Sequence, residues 1–338
     1  MLELPKLLNS PPGLVTLIPP FNYDPGTEVI AGDSLIHSEN AVFTREGRYF
    51  VAGEHSDPNL GWGIYEVART ASGHELRQVV PGLLEVGSAE RICWFHGLTT
   101  DGTYLYATAA VHAEGDPKKL EYGALFRILP KKDASEVSIA HYHAGEEHFY
   151  NGMAVGPDGA IYMSNSFALS DGSNVAIYKV TIQDPDKFEI RINPWLPASR
   201  LRDIGPNGIQ MKGDTMYYAS GKGLHKMAVT PSGPGKPSLI YFPLIPNNVL
   251  DDLTILPDGR IAVGEIDYLM NFHGFEGWGV NQVVTVDPNG MIPVNRQITL
   301  TSPYTVSSLV YSEGDLFTRD KLIATSWFHG GIREIGPI

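Results

Sequence analysis

The chain of 338 residues is poor in cysteine, in charge and in long apolar runs, and each shortage removes a class of protein. Cys93 stands alone, so no intrachain disulfide can form. No stretch approaches 18 uninterrupted apolar residues, so no membrane-spanning helix is expected. Met1 to Ser10 carries Glu3 and Lys6 and lacks the apolar run of a signal peptide. A cytoplasmic protein is the expectation, a secreted chain with its signal removed being the alternative. Charged residues are only 19 %, and basic residues are outnumbered 25 to 38, for a net charge of −13. That balance excludes nucleic acid and anionic membrane surfaces as partners, since both need a basic face. It suits a cation or a neutral small molecule. Several catalytic signatures are missing as well: the Gly-x-Ser-x-Gly elbow, the phosphate loop, the Gly-x-Gly-x-x-Gly fingerprint and His-Glu-x-x-His.

What is abundant is turn chemistry. Gly (36) and Pro (25) accompany 43 % hydrophobic residues, which points to an all-β chain with many tight turns, not to disorder. Six segments share one pattern: a short apolar strand, a Gly/Asp turn, then a strand rich in aromatic and β-branched residues. They open at Ser38-Glu39-Asn40, His96-Gly97, Asn151-Gly152, Asn207-Gly208, Asp251-Asp252 and Ser307-Ser308. Pro157-Asp158-Gly159 and Pro257-Asp258-Gly259 are the clearest of the turns. Units recurring every roughly 40 to 57 residues, each with room for four antiparallel strands, describe propeller blades. The expected fold is therefore a six-bladed β-propeller occupying residues 1–338 as one domain, with Pro231 to Pro237 as an inter-blade loop.

In a propeller the first strand of each blade lines the central channel. The opening residues Glu39, His96, Asn151, Asn207, Asp251 and Ser307 or Ser308 therefore face one another across the axis. Acids and amides gathered in a channel are costly to bury unless they meet a cation or each other. Glu39, Asn151, Asn207, Asp251 and Asp252 offer only oxygen donors, which suits calcium or magnesium, with manganese a third candidate. Ligands drawn from separate blades favour calcium, whose geometry is loose. The plainer reading is that Asn and Asp before Gly are simply turn formers.

These openings, with the C-terminal run Lys321 to Ile335, resemble the paraoxonase/arylesterase family. They are also similar to the wider gluconolactonase and strictosidine-synthase-like superfamily of six-bladed propellers. The resemblance implies a catalytic calcium held by Glu39, Asn151, Asn207, Asp251 and Asp252. It also implies a histidine dyad, His96 and His112, that activates water above the metal. The implied reaction is hydrolysis of a small-molecule lactone or ester. The match is incomplete: Gly152 stands where the family's second, structural calcium takes an Asp, and Asn40 where the family tends to have Asp. Glu265-Ile266-Asp267 replaces a further active-site histidine, and neither the family's disulfide nor its hydrophobic N-terminal anchor has a counterpart.

Other signals carry less. His141 and His143 would share a strand face near Glu146, Glu147 and His148, a zinc-like grouping that reads more simply as a surface strand entering a loop. His329 has no assigned role, and Cys93 is expected to be buried and inert. Phe167 to Asn174 and Tyr268 to Trp278 are expected to wall the pocket; their Phe167, Tyr268, Met270, Phe272, Phe275 and Trp278 suggest a fairly apolar substrate. Two other functions compete: a metal-independent condensing or cyclising enzyme using Glu39, Glu265 or Asp267, and a non-catalytic binding propeller.

Overall fold

β-Branched and aromatic runs separated by glycine turns favour strands over helices. A computed structural model describes residues 26–86, 89–113, 116–131, 136–142, 150–166, 175–200, 205–221, 223–243, 248–267, 281–291, 296–302, 304–314 and 316–336. Among them the helical content is a single 3-10 turn, Ala198–Arg200. The strands form six antiparallel sheets arranged as a six-bladed β-propeller. From the channel outward, blade 1 is Leu35–Phe43, Tyr49–His55, Trp62–Thr70 and Gly73–Pro81. Blade 2 starts from Ala89–Thr100 and continues through Leu105–Ala113 and Asp116–Leu129 to Glu136–Tyr142, while Leu83–Val86 pairs with its innermost strand. The inner strands of blades 3 to 6 are Tyr150–Val155, Pro206–Lys212, Asn248–Ile255 and Ser308–Ser312.

The Pro-Asp-Gly turns behave as their chemistry dictates. Gly159 and Gly259 take φ of 74° and 89°, left-handed values that a side chain would resist. Each closes a loop in which Gly156 N–H donates to Ala160 O and Leu256 N–H donates to Arg260 O, both at 2.8 Å.

Because every blade is sandwiched between two others, both faces of its central strands are buried. Tyr49, Phe50, Val51 and Ala52 run consecutively at 0 % exposure, so blade 1 shows no inside–outside alternation there. Phe50 and Ile64 of blade 1 pack with Phe95 and Phe126 of blade 2 around Cys93. The thiol is fully buried, as expected, and burial pushes its pKa up to about 12.

The ring is closed by two strands far apart in sequence. Thr27–Ile30 is the outermost strand of blade 6, antiparallel to Ile332–Ile335 with Thr27 opposite Glu334, and Arg333 pairs with Glu28 at 3.0 Å. One expectation is corrected: Pro231 to Pro237 does not join two blades. Gly233–Pro234 and Ser238–Tyr241 both pair with Gly223–Thr230, so the segment lies inside blade 4, between its third strand and its edge. His141 sits on the edge strand of blade 2, opposite Ala124. His143, Glu146, Glu147, His148 and the expected pocket loops 167–174 and 268–278 lie outside the described residues.

Candidate functional site

The inner strands of blades 1 to 5 share one irregularity. Pairing runs Ser38↔Gly53 then Ala41↔Val51 in blade 1, and Phe95↔Ala109 then Leu98↔Ala107 in blade 2. The same step occurs at Tyr150/Met153, Pro206/Ile209 and Leu250/Leu253. In each case two residues oppose one, which is a β-bulge. The bulged pairs are Glu39-Asn40, His96-Gly97, Asn151-Gly152, Asn207-Gly208 and Asp251-Asp252. The Asn-Gly pairs are therefore bulges within strands, not turns.

Glycine has a steric reason here. A Cβ on Gly97 would fall 1.9 Å from Asn151 O, and one on Gly152 would fall 2.0 Å from Asn207 O. A Cβ on Gly208 would meet Asp252 Oδ1 at 2.2 Å. Each opening thus abuts the next blade's opening, which gathers these side chains around the axis. Asn151 Nδ2 donates to Glu39 Oε1 at 2.8 Å, joining blades 3 and 1. Asn207 Nδ2 donates to Asp251 Oδ1, joining blades 4 and 5. Ser308 Oγ of blade 6 donates to Asp252 Oδ2 at 2.8 Å.

Three carboxylates in this space repel one another. Burial, then the charge of Asp252, raises Glu39 to about 7, against a lowering by its Asn151 hydrogen bond. Burial lifts Asp252 to about 6, although Ser308 and two backbone amides stabilise its charged form. Asp251 is held well above its usual range by burial and by Glu39 and Asp252. Among the described residues no lysine or arginine forms an ion pair with any of them. Nor do three or more His, Cys, Asp or Glu side chains stand close enough among those residues to enclose an ion by themselves. A complete oxygen set here needs the amides of Asn151 and Asn207 beside the acids. Hard donors with surplus negative charge and no cation of their own fit a divalent ion of the calcium or magnesium kind.

His96 occupies the blade 2 bulge, 2 % exposed, and His112 lies on the adjacent strand opposite Ile92. Burial, reinforced by His112, pushes His96 down to about 3, so its imidazole is neutral at physiological pH. Elsewhere, Glu265 is sealed at 0 % exposure, accepting from Tyr241 Oη at 2.5 Å and Asn248 Nδ2 at 3.0 Å. The Asp267 N–H donates to Asn281 Oδ1 at 3.1 Å. His329 Nδ1 accepts from Thr305 N–H at 3.2 Å, and Thr305 Oγ1 lies 2.6 Å from Ser326 Oγ, a brace inside blade 6.

A group of rings at the same end escaped the sequence reading: His37, Trp62, Trp94 and Trp327. Trp94 stands two residues before the His96 bulge, and His37 two before Glu39. That offset was the signal that could have found those two.

No protein-family model matches the sequence, and no curated protein matches it. Solved structures do. A gluconolactonase from Xanthomonas campestris is similar over 94 % of this chain and 97 % of its own, at 13 % identity and a TM-score of 0.57. The calcium-binding protein regucalcin from Agrobacterium tumefaciens covers 94 % of each chain at 14 % identity and a TM-score of 0.55. A luciferin-regenerating enzyme covers 92 % of each at 11 % identity and a TM-score of 0.55. At these identities the likeness establishes the fold alone. The narrower resemblance to paraoxonases rests on the sequence motifs.

Proposed function

We propose that this protein is a calcium-dependent hydrolase that opens lactones or cleaves carboxylic esters. The observation that carries the reading is the meeting of buried Glu39, Asn151, Asp251 and Asp252 with half-buried Asn207, with no cationic side chain paired to the acids among the described residues. Two structural neighbours lend support, one being a gluconolactonase and the other a calcium-binding protein. Glu39, Asn151, Asn207, Asp251 and Asp252 are the residues that would hold the ion. When bound, the ion polarises the ester carbonyl and offsets the charge that develops on its oxygen.

The chain's own contribution is proton handling. Hydrolysis needs a group that takes a proton as water attacks the carbonyl carbon and returns one to the departing alkoxide oxygen. His96 is neutral and can accept, yet burial makes a lasting imidazolium there unfavourable. It therefore acts as a relay, taking a proton on one ring nitrogen while passing another toward His112. The relay shares the transient charge between the two rings until a proton is returned to the leaving alkoxide oxygen. Burial beside the Trp327 ring, at 6.0 Å, also limits competing water.

The metal-independent alternative is disfavoured by Glu265, whose oxygens are already committed to Tyr241 and Asn248 out of reach of solvent. The test is a panel of lactones and aryl esters assayed with chelator and then with calcium restored. Turnover should vanish and return, and His96→Gln should cut kcat at least about a hundredfold with calcium affinity unchanged. Chelator-resistant turnover would overturn the reading.

A further inference from the structure

Opposite each bulge the second strand of the blade carries one small, buried residue: Ala52, Thr108, Ser164, Ala219 and Gly264 in blades 1 to 5. In blade 6, whose inner strand pairs without a bulge, Thr325 ends the second strand opposite Ser308. Size is limited at these places because the next blade's opening presses on them. A Cβ on Gly264, for example, would fall 2.7 Å from Val306 O at the opening of blade 6.

Three of these residues carry a hydroxyl, and each directs it at the next blade. Thr108 Oγ1 accepts from Gly97 N–H at 2.9 Å and donates to Tyr150 O at 3.0 Å, tying the His96 bulge to the peptide that leads into Asn151. Ser164 Oγ donates to Asn207 O at 2.6 Å. Thr325 Oγ1 donates to Glu39 O at 3.0 Å, joining blade 6 to blade 1. The openings that receive these bonds are those of Asn151, Asn207 and Glu39. Blades 2 and 6 supply none of the proposed oxygen donors, and they follow Ala52 and Gly264, which have no hydroxyl to give. Blade 5 follows Ala219 and is held by other means: Leu250 N–H donates to Gly221 O at 3.3 Å, and Ser308 Oγ reaches Asp252 from blade 6. Close packing of blade on blade needs only a small residue, as Ala52 and Gly264 show. A hydroxyl is added where the following opening carries an oxygen donor.

The physical effect is on direction. A bulge leaves its extra residue outside the ladder, so the peptide planes there have no strand partner to fix them. A main-chain carbonyl is itself a hard oxygen donor, and one turned toward a cation swings its own side chain away. Resting on the calcium reading above, we propose that Thr108, Ser164 and Thr325 are positioning residues for the cation site. Their hydroxyls hold the backbone at Asn151, Asn207 and Glu39 so that side-chain oxygens meet the ion.

The test is calorimetric titration of calcium into the chelated protein, with thermal unfolding midpoints measured in chelator and in calcium. Ser164→Ala and Thr325→Val should each weaken calcium binding about tenfold, while Thr325→Ser, which keeps the hydroxyl, stays within about twofold of wild type. Ser220→Ala is the control, because that hydroxyl is equally buried and donates at 3.0 Å to Gly223 O within its own blade. It should lower the midpoint by the same amount in chelator and in calcium and leave affinity unchanged. Ser164→Ala and Thr325→Val should lower the midpoint more in calcium than in chelator. If Ser164→Ala does not fold, the comparison of Thr325→Val with Thr325→Ser carries the decision. Wild-type affinity in folded Ser164→Ala and Thr325→Val, or an equal loss of affinity in Ser220→Ala, overturns the positioning role and leaves the cation site standing. A wild type that binds no calcium overturns the cation site and the positioning role together.

Discussion

Replacing Glu39 by Gln should stabilise the calcium-free protein, and the gain should grow with pH. The Glu39 carboxyl sits buried beside Asp252, which raises it from its usual 4.5 to about 7. Below pH 4.5 it is protonated whether the chain is folded or not, so wild type and Glu39→Gln behave alike. As pH rises, the unfolded chain releases the proton near 4.5 and the folded chain holds it until about 7. The folded state binds more protons throughout that interval, so the wild type loses stability relative to the variant. At about 1.4 kcal/mol per pKa unit the loss reaches about 3 kcal/mol and is complete above pH 7. Buried His96 and His225, both shifted down, slope the other way, and they do so in both proteins and cancel in the difference. The assay is urea unfolding of chelated wild type and Glu39→Gln from pH 4 to 8. With calcium present the order should reverse, because the ionised carboxylate becomes a ligand. A difference that stays flat with pH, or a variant that loses ground, would refute the reasoning.

Gly152→Ala should cost about 3 kcal/mol, since its new methyl lands 2.0 Å from Asn207 O and forces the neighbouring blade opening aside. Chemical denaturation checks this, and a loss under about 1 kcal/mol would show that the openings do not abut. Tyr241→Phe should destabilise by about 1–3 kcal/mol by leaving the buried Glu265 short of a donor, with calcium affinity unaltered by calorimetry.

The six blades were legible because each repeats a local signature, such as the Gly159 and Gly259 turns and the aromatic second strands. Where that signature ends, so does legibility. Thr27–Ile30 pairs with Ile332–Ile335 across almost the whole chain, and a partner so distant leaves no local periodicity. Pro231 to Pro237 misled for a related reason: proline and glycine mark a break in a strand and do not say whether the next strand joins the same sheet. The channel openings stood out because polar residues recurred at one place in an otherwise apolar repeat. Their contacts were not legible: Asn151 reaches Glu39 two blades away, and glycines that read as turn formers prove to be close approaches. Trp62, Trp94 and Trp327 occupy three different strand positions, so no single repeat register aligns them.

Calorimetric titration of calcium into the chelated protein tests the central claim most directly. One ion per chain should bind, and Asp251→Asn should weaken it at least about tenfold while the fold, followed by circular dichroism, stays intact. Absence of binding to the wild type, or equal affinity in a folded Asp251→Asn, would contradict a shared cation at the axis.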